Sequence, residues 1–410
     1  MLCVERLTPH HAIIPTMQWV VDSDLWGAPR AFEHLGSVRT VNGRRLIPSD
    51  LADADGLIVR SVTQVNRALL EGTPVRFVGT ATSGEDHIDL DYLRSRGIAY
   101  ANAAGTNSRP VAEYVLAALF EWAWRTARPL AGATLGVFGR GRIGSIVADW
   151  ADSLGMRVLC CDPPLAEAGA VDLHSAEGVL SQSDVVTLHV PLTRHGPCAT
   201  AGLVNADWLA RLPRQAWLIN TSRGEVVNRQ DLFDAIDAQR LAGAILDVWD
   251  GEPVADDALF SRATLLTPHL AGYSASAHRR ASLRMIEAVE EFLAARGGAS
   301  SSKSRSNPEP MNSIHPPEAE ASFVEVRQLP PETDLAFISR ILGITCDLPA
   351  LDAEFRVRSK TVGAAAAFDA VRRAARARRE MTDSALQLRP QSHAAARLLS
   401  RWGCRVEAAP

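Results

Sequence analysis

Gly139-Arg140-Gly141-Arg142-Ile143-Gly144 follows directly on the apolar run Ala133 to Phe138, and Asp162 closes the next apolar run eighteen positions after the last glycine. A strand over Thr134 to Phe138, a glycine turn, a helix over Ile143 to Ser153 and a strand over Arg157 to Cys161 make a dinucleotide-binding βαβ unit. The three glycines differ in role. Gly139 permits the tight turn, Gly141 lets the backbone approach a pyrophosphate, and Gly144 lets helix pack on strand. The pyrophosphate would rest on the helix start, where unpaired N–H groups and the dipole favour an anion. Asp162 suits the two ribose hydroxyls and repels a 2′-phosphate, so NAD is expected rather than NADP.

Outward from this unit the chain alternates short apolar runs with helical ones, the pattern of parallel strands joined by crossover helices. Before it come strands at Gln18 to Val21, Gly56 to Val59 and Arg76 to Gly79, with helices around Val65 to Leu70 and Leu90 to Ser95. A long apolar helix, Val111 to Arg128, leads into the glycine motif. After it come strands at Asp184 to Val190, Ala216 to Asn220, Ala244 to Val248 and Thr264 to Leu266, with helices around Ala206 to Leu212 and Arg229 to Ala238. The helix Ser276 to Ala295 is placed to carry the chain back to the first lobe. The expected architecture is α/β: two doubly wound parallel-sheet, Rossmann-like lobes plus a small α+β C-terminal domain. Its divisions are 17–110 with 275–296 as a discontinuous substrate-binding lobe, 111–274 as the dinucleotide lobe, 297–322 as a flexible linker and 323–410 as the C-terminal domain. That last domain is expected to hold the helix Ala366 to Arg379 and the strand Ala385 to Leu388. Met17 stands directly before the first strand, so residues 1–16 read as an extension or Met17 as the start.

At 410 residues the chain exceeds one ordinary core. A net charge of −4 gives no general reason to expect nucleic acid or membrane as partner. The six cysteines show neither metal-ligand spacing nor a disulfide framework, and neither a signal peptide nor a long apolar span is read, so a cytoplasmic protein without a metal is expected. The run Arg372-Arg373, Arg376, Arg378-Arg379 has Asp369 and Glu380 beside it and reads as a solvated helix face or a subunit contact.

Three polar residues lie just past strand ends of the second lobe: Arg223, Glu252 and His269. Ligands of open α/β sheets bind at such ends. Removing a hydride from a hydroxyl carbon requires a base for the hydroxyl proton, and the imidazole of His269 has the right intrinsic pKa. A carboxylate beside it, Glu252, fixes the tautomer and stabilises the imidazolium. Arg223 offers a planar, permanently charged fork for an acidic substrate. Singly, each is an ordinary structural histidine, loop carboxylate or surface cation; their joint placement carries the reading.

In order and spacing, the segment after Asn220, the stretch Asp247 to Pro253 and Pro268-His269 resemble the D-isomer-specific 2-hydroxyacid dehydrogenase family, over nearly all of residues 17 to 295. Val59-Arg60-Ser61-Val62-Thr63, Gly79-Thr80-Ala81-Thr82-Ser83-Gly84, Cys161-Asp162-Pro163-Pro164 and His269-Leu270-Ala271-Gly272-Tyr273 narrow the resemblance to a branch with a C-terminal dimerisation domain. The resemblance implies NAD-dependent oxidation of 4-phospho-D-erythronate at carbon 2 by a homodimer, on the route to pyridoxal phosphate. It makes Arg223, Glu252 and His269 catalytic. It assigns Gly139, Gly141, Arg142, Ile143, Gly144, Asp162, Val190, Thr221, Ser222, Arg223, Asp247 and Gly272 to NAD, and Ser61, Thr82 and Tyr273 to substrate. Asn228 stands where the family usually has aspartate, Val190 where close relatives often have threonine. The rival readings are a relative acting on 3-phosphoglycerate or glyoxylate/hydroxypyruvate, and a binding protein that senses NAD without catalysis.

Overall fold

A computed structural model describes residues 17–296, 324–329, 332–383 and 386–407, in which every strand pairing of the sheets is parallel. The chain forms two compact units: residues up to 103 together with the helix portion from Ser282, and residues 104–281 together with the described residues after 323. The expected extension 1–16 and linker 297–322 lie outside the described residues.

The first unit is a five-stranded sheet of β1 (Gln18–Asp22), β2 (Ser37–Val41), β3 (Gly56–Val59), β4 (Phe77–Thr80) and β5 (Ala99–Asn102), in the order β2-β1-β3-β4-β5. Its strand order reverses between β1 and β3, the position where doubly wound sheets open a crevice. There Arg60, just past β3, pairs with Asp22 at the end of β1, at 3.1 Å. β3 and β4 are buried throughout because parallel strands are covered on both faces. Gly56 has no side chain because a Cβ would lie 2.1 Å from the Trp19 ring. That ring packs edge-on against Phe77 and Phe292. The edge strands β2 and β5 are half-exposed and produce no apolar run, which is why the sequence pattern alone does not reveal them. The helix expected from Val65 begins only at Arg67, since Val65 bridges to Ile88 and Asn66 caps the turn through Leu69 N.

The second unit holds β6 (Thr134–Phe138), β7 (Arg157–Cys161), β8 (Val185–Leu188), β9 (Trp217–Asn220), β10 (Gly243–Leu246) and β11 (Leu265–Leu266), ordered β11-β10-β9-β8-β6-β7. Its reversal falls between β6 and β8, so the glycine loop after β6 and Val190 after β8 flank the switch point. The helix Ser108–Thr126 is almost wholly buried against this sheet. Asn228 caps the helix Arg229–Asp237 by accepting from Asp231 N at 3.1 Å, which asparagine does as well as aspartate. No helix among the described residues is long and apolar enough to cross a membrane. Cys160, Cys161, Cys198, Cys346 and Cys404 are free thiols.

The C-terminal residues pair β12 (Val324–Arg327) with β13 (Leu386–Arg389) and add helices at Asp334–Thr345, Leu348–Val362, Ala364–Ala375 and His393–Arg401. They share one apolar core with the six-stranded sheet: Trp249 meets Phe355 and Phe368 at ring separations of 5.9 and 5.7 Å. The helix Leu348–Val362 covers the edge strand β11. Asp352 accepts from Leu266 N at 2.8 Å, and Arg356, paired with Asp352, donates to Ala263 O.

A second polar seam ties this domain to the helix Ser108–Thr126. Fully buried Glu113 accepts from Met381 N at 2.9 Å. Burial pushes its carboxyl up to about 8, against the pull of Arg378 and with a further push from Glu380. A carboxyl whose folded pKa lies above its unfolded value contributes stability that is complete below the ordinary carboxyl range and lost as pH rises toward the folded pKa. At about 1.4 kcal/mol per pKa unit, the isolated group would cost the fold several kcal/mol between roughly pH 5 and pH 8. Glu113→Gln is therefore expected to flatten the fall in urea-unfolding free energy between those pH values; equal slopes for variant and wild type would show that Glu113 does not titrate there.

Candidate active site

The glycine loop divides its labour as the motif reading predicts. Gly139 has φ of 89°, and a Cβ there would come within 2.7 Å of His189 O; one on Gly144 would come within 1.9 Å of Gly139 O. Gly141 differs, because a Cβ there would meet nothing within 4 Å. The protein's own packing does not require a glycine at that position, whereas close approach of a pyrophosphate does. The helix Arg142–Ser153 starts behind Gly141 with no side-chain cap and no acidic residue in its first turn, leaving N–H groups for an anion. Asp162, just past β7, accepts from Arg140 N at 2.8 Å and from Leu165 N at 3.2 Å, which fixes its carboxylate beside the loop. Thr221 and His189 approach at 3.5 Å next to half-buried Val190. These residues fit a dinucleotide.

Arg223 owes its place to Asn220, the buried last residue of β9. The Asn220 amide accepts from Ser222 N and Ser222 Oγ, at 3.0 and 2.8 Å, and donates to Arg223 O at 3.0 Å, so one side chain folds the whole Thr221–Arg223 turn. Gly224 then presses against the next loop: a Cβ would fall 2.0 Å from Trp249 C. That contact sets the Arg223 turn against the Trp249–Glu252 turn. The Glu252–Pro253 peptide is cis, and Glu252 spends one oxygen on Trp249 N at 3.1 Å and the other on His269 Nδ1 at 2.8 Å. With Nδ1–H donating to the carboxylate, Nε2 carries the lone pair and is left able to accept a proton.

His269 sits in left-handed backbone, φ of 51°, unusual for a residue with a side chain. Its N–H donates to Asp247 O at 2.7 Å. The buried Asp247 carboxylate accepts from Thr267 Oγ1, Leu270 N and Ala271 N at 2.7, 2.9 and 2.9 Å, and Tyr114 donates in turn to Thr267 at 2.6 Å. Burial pushes the Asp247 carboxyl up, while His269 and the donors from Thr267, Ala271 and Leu270 pull it back. Any contact of Asp247 with cofactor is made in addition to these bonds.

Of the three residues assigned to substrate, Ser61 and Thr82 follow the neighbouring strands β3 and β4 in the first unit, and Tyr273 lies in the second. Ser61 is exposed; Thr82 Oγ1 is shared between Thr80 Oγ1 and Gly84 O at 2.8 and 2.9 Å. Gly272 keeps clear of Asn107, whose Nδ2 a Cβ would meet at 2.7 Å.

The arginine run is not the solvated face that its charge pattern suggested. Only Arg373 is exposed. Arg372 hydrogen-bonds the Tyr273 hydroxyl and lies over its ring, and Arg378 Nη2 bridges Pro110 O and Ala271 O at 3.0 Å each. Here tertiary contacts override local charge pattern: Arg378, past the end of its helix, turns inward onto a carbonyl of the His269 turn and one of the helix Ser108–Thr126. Asn220, Arg372 and Arg378 carry no sequence signal of these roles, because each acts through a partner remote in the chain or through a turn geometry.

Residues 108–271 match the D-isomer specific 2-hydroxyacid dehydrogenase, NAD binding domain. The chain is 46% identical over 283 residues to the erythronate-4-phosphate dehydrogenase of Salinibacter ruber, covering 68% of this chain and 72% of that protein. To the enzyme of the same name from Pseudomonas syringae pv. syringae it is 36% identical over 403 residues, 94% of this chain and 99% of that one. The crystal structure of D-lactate dehydrogenase from Aquifex aeolicus, complexed with NAD and lactic acid, superposes with a TM-score of 0.58 at 27% identity. It covers 67% of this chain and 95% of its own, so a third of this chain has no counterpart there.

The contrast between the glycines yields a test. Gly141→Ala is expected to weaken NAD binding by about tenfold or more, read by nucleotide titration, with the thermal midpoint nearly unchanged. Gly144→Ala is expected to destabilise the fold by at least 1 kcal/mol, since a Cβ only 1.9 Å from a backbone oxygen has no soft partner to yield.

Proposed function

We infer the reaction from family and geometry together: this chain belongs to the D-isomer specific 2-hydroxyacid dehydrogenase family, among the erythronate-4-phosphate dehydrogenases, and is an NAD-dependent oxidoreductase. Its substrate is 4-phospho-D-erythronate, oxidised at carbon 2 to (R)-3-hydroxy-2-oxo-4-phosphooxybutanoate on the route to pyridoxal phosphate. The observation that carries the chemistry is the Glu252–His269 pair at 2.8 Å, on a turn whose backbone is pinned by Asp247.

NAD supplies the hydride acceptor. Arg223 holds the substrate carboxylate and polarises the carbonyl as it forms. His269 Nε2 takes the proton of the carbon-2 hydroxyl while the hydrogen on that carbon leaves as hydride, and the C–O bond becomes C=O. Glu252 stabilises the imidazolium so produced, and both its oxygens are already fixed, by Trp249 N and by His269. Ser61, Thr82 and Tyr273 offer hydroxyls to substrate oxygens without adding charge. The protein acts as a cytoplasmic homodimer through its C-terminal domain. Leu329, Leu335, Ile344, Val357 and Val362 of that domain are exposed apolar side chains, which supports this pairing.

NADH formation at 340 nm, with 4-phosphoerythronate and 3-phosphoglycerate side by side and a 2-oxo acid present in parallel, is expected to show a clear preference for 4-phosphoerythronate. Preference for 3-phosphoglycerate would discard the substrate and keep the mechanism. His269→Ala is expected to lower kcat by about 10²–10⁴ with NAD affinity retained; undiminished turnover would remove His269 from the role of base.

A further inference from the structure

Arg372 is a cation without a counter-charge. Its guanidinium lies 4.9 Å from the ring centres of both Tyr273 and Phe368, and its hydrogen bond goes from Nη2 to the neutral Tyr273 hydroxyl. Nε is buried with no partner, and no carboxylate pairs with the residue among the described residues. Elsewhere in the C-terminal domain Arg340 is matched by Glu332 and Arg356 by Asp352, while Arg378, whose Nε is also unpartnered, has its Nη2 on the carbonyls of Pro110 and Ala271. A buried donor on a charged group left unpaired costs stability, and such groups persist where they serve a ligand.

The surroundings say which ligand. Because Arg372 donates to the Tyr273 oxygen, the phenol proton is turned outward, so Tyr273 is a hydrogen-bond donor with a cation directly behind it. A phenol O–H backed by a guanidinium suits an anion of high charge density. Tyr273 is bound to the His269 turn through its own N–H, which donates to Leu270 O at 2.8 Å. Arg223 and His269 deal with the carboxylate end and carbon 2 of the substrate, so the Tyr273 end of the turn receives the other terminus. We propose that Arg372, contributed by the C-terminal domain of the same chain, is a specificity-determining residue that selects the substrate's phosphomonoester together with Tyr273. This rests on the substrate reading given above.

The test uses full-length Arg372→Gln and Arg372→Lys, with steady-state kinetics on 4-phosphoerythronate and on unphosphorylated D-erythronate at high concentration. Loss of a charged hydrogen-bonding partner is worth roughly 10- to 100-fold in affinity. Arg372→Gln is expected to raise KM for 4-phosphoerythronate by that factor with kcat changed only a few-fold. D-erythronate turnover and KM for NAD should stay as in wild type, inorganic phosphate should inhibit less, and Arg372→Lys should recover part of the loss. Equal losses on both substrates would show a merely structural residue and overturn the proposal, as would an unchanged KM in a variant whose wild type prefers the phosphorylated acid. A wild type indifferent to the phosphate would overturn the substrate reading and this inference with it.

Discussion

The Asp247 carboxylate, buried at the end of β10, is the constraint on which the rest of the site depends. It sits too deep to be a solvent-facing charge and is satisfied instead by one hydroxyl and two backbone N–H groups from Thr267 to Ala271. Those three bonds wind residues 267–271 into a turn tight enough to force His269 into left-handed backbone, a strain of order 1 kcal/mol or more that an isolated loop would relieve. The direction of the imidazole follows from that backbone, and the contact with Glu252 follows from the direction. An imidazole poised on a loop would wander; one on a turn wrapped round a buried carboxylate does not.

The same turn is held from its other side by the C-terminal domain. Arg378 reaches Ala271 O and Pro110 O, Ala275 N donates to Arg378 O, and Ser274 hydrogen-bonds Glu380. Residues more than a hundred positions downstream thereby set the exit of the turn that carries His269. The Aquifex aeolicus lactate enzyme is matched over 95% of its own length by 67% of this chain. Here the C-terminal helices are built into the core rather than appended to it, as the packing of Trp249 against Phe355 and Phe368 shows.

Much of this is legible in the order of residues. The βαβ unit is a local object: strand, three glycines and acid lie within about thirty positions. β6 and β7 accordingly fall on the expected residues. Strands covered on both faces produce unbroken apolar runs, so β3, β8, β9 and β10 are found, while β2 and β5, exposed or half-exposed along their length at the sheet margins, leave no such trace. The trio Arg223, Glu252 and His269 stands out by type and by position at strand ends. What holds the trio in place does not: Asn220 looks like any residue closing a strand, and Arg372 and Arg378 look like a charged helix face. Asn220 works through the turn it folds, and the two arginines through partners about a hundred or more positions away, which charge pattern along a helix does not announce.

The covering of β11 by the helix Leu348–Val362 has a further consequence. A marginal strand normally presents a row of open N–H and C=O groups on which another strand can assemble. Here Leu266 N is taken by Asp352, and Arg356 takes the carbonyls of Phe260 and Ala263 beside it. Two copies of the chain therefore cannot join by running their six-stranded sheets together across this margin. Association at that end is left to side chains, which encode shape and tolerate little slippage, and the protein is spared the open-ended stacking that an uncovered parallel edge invites.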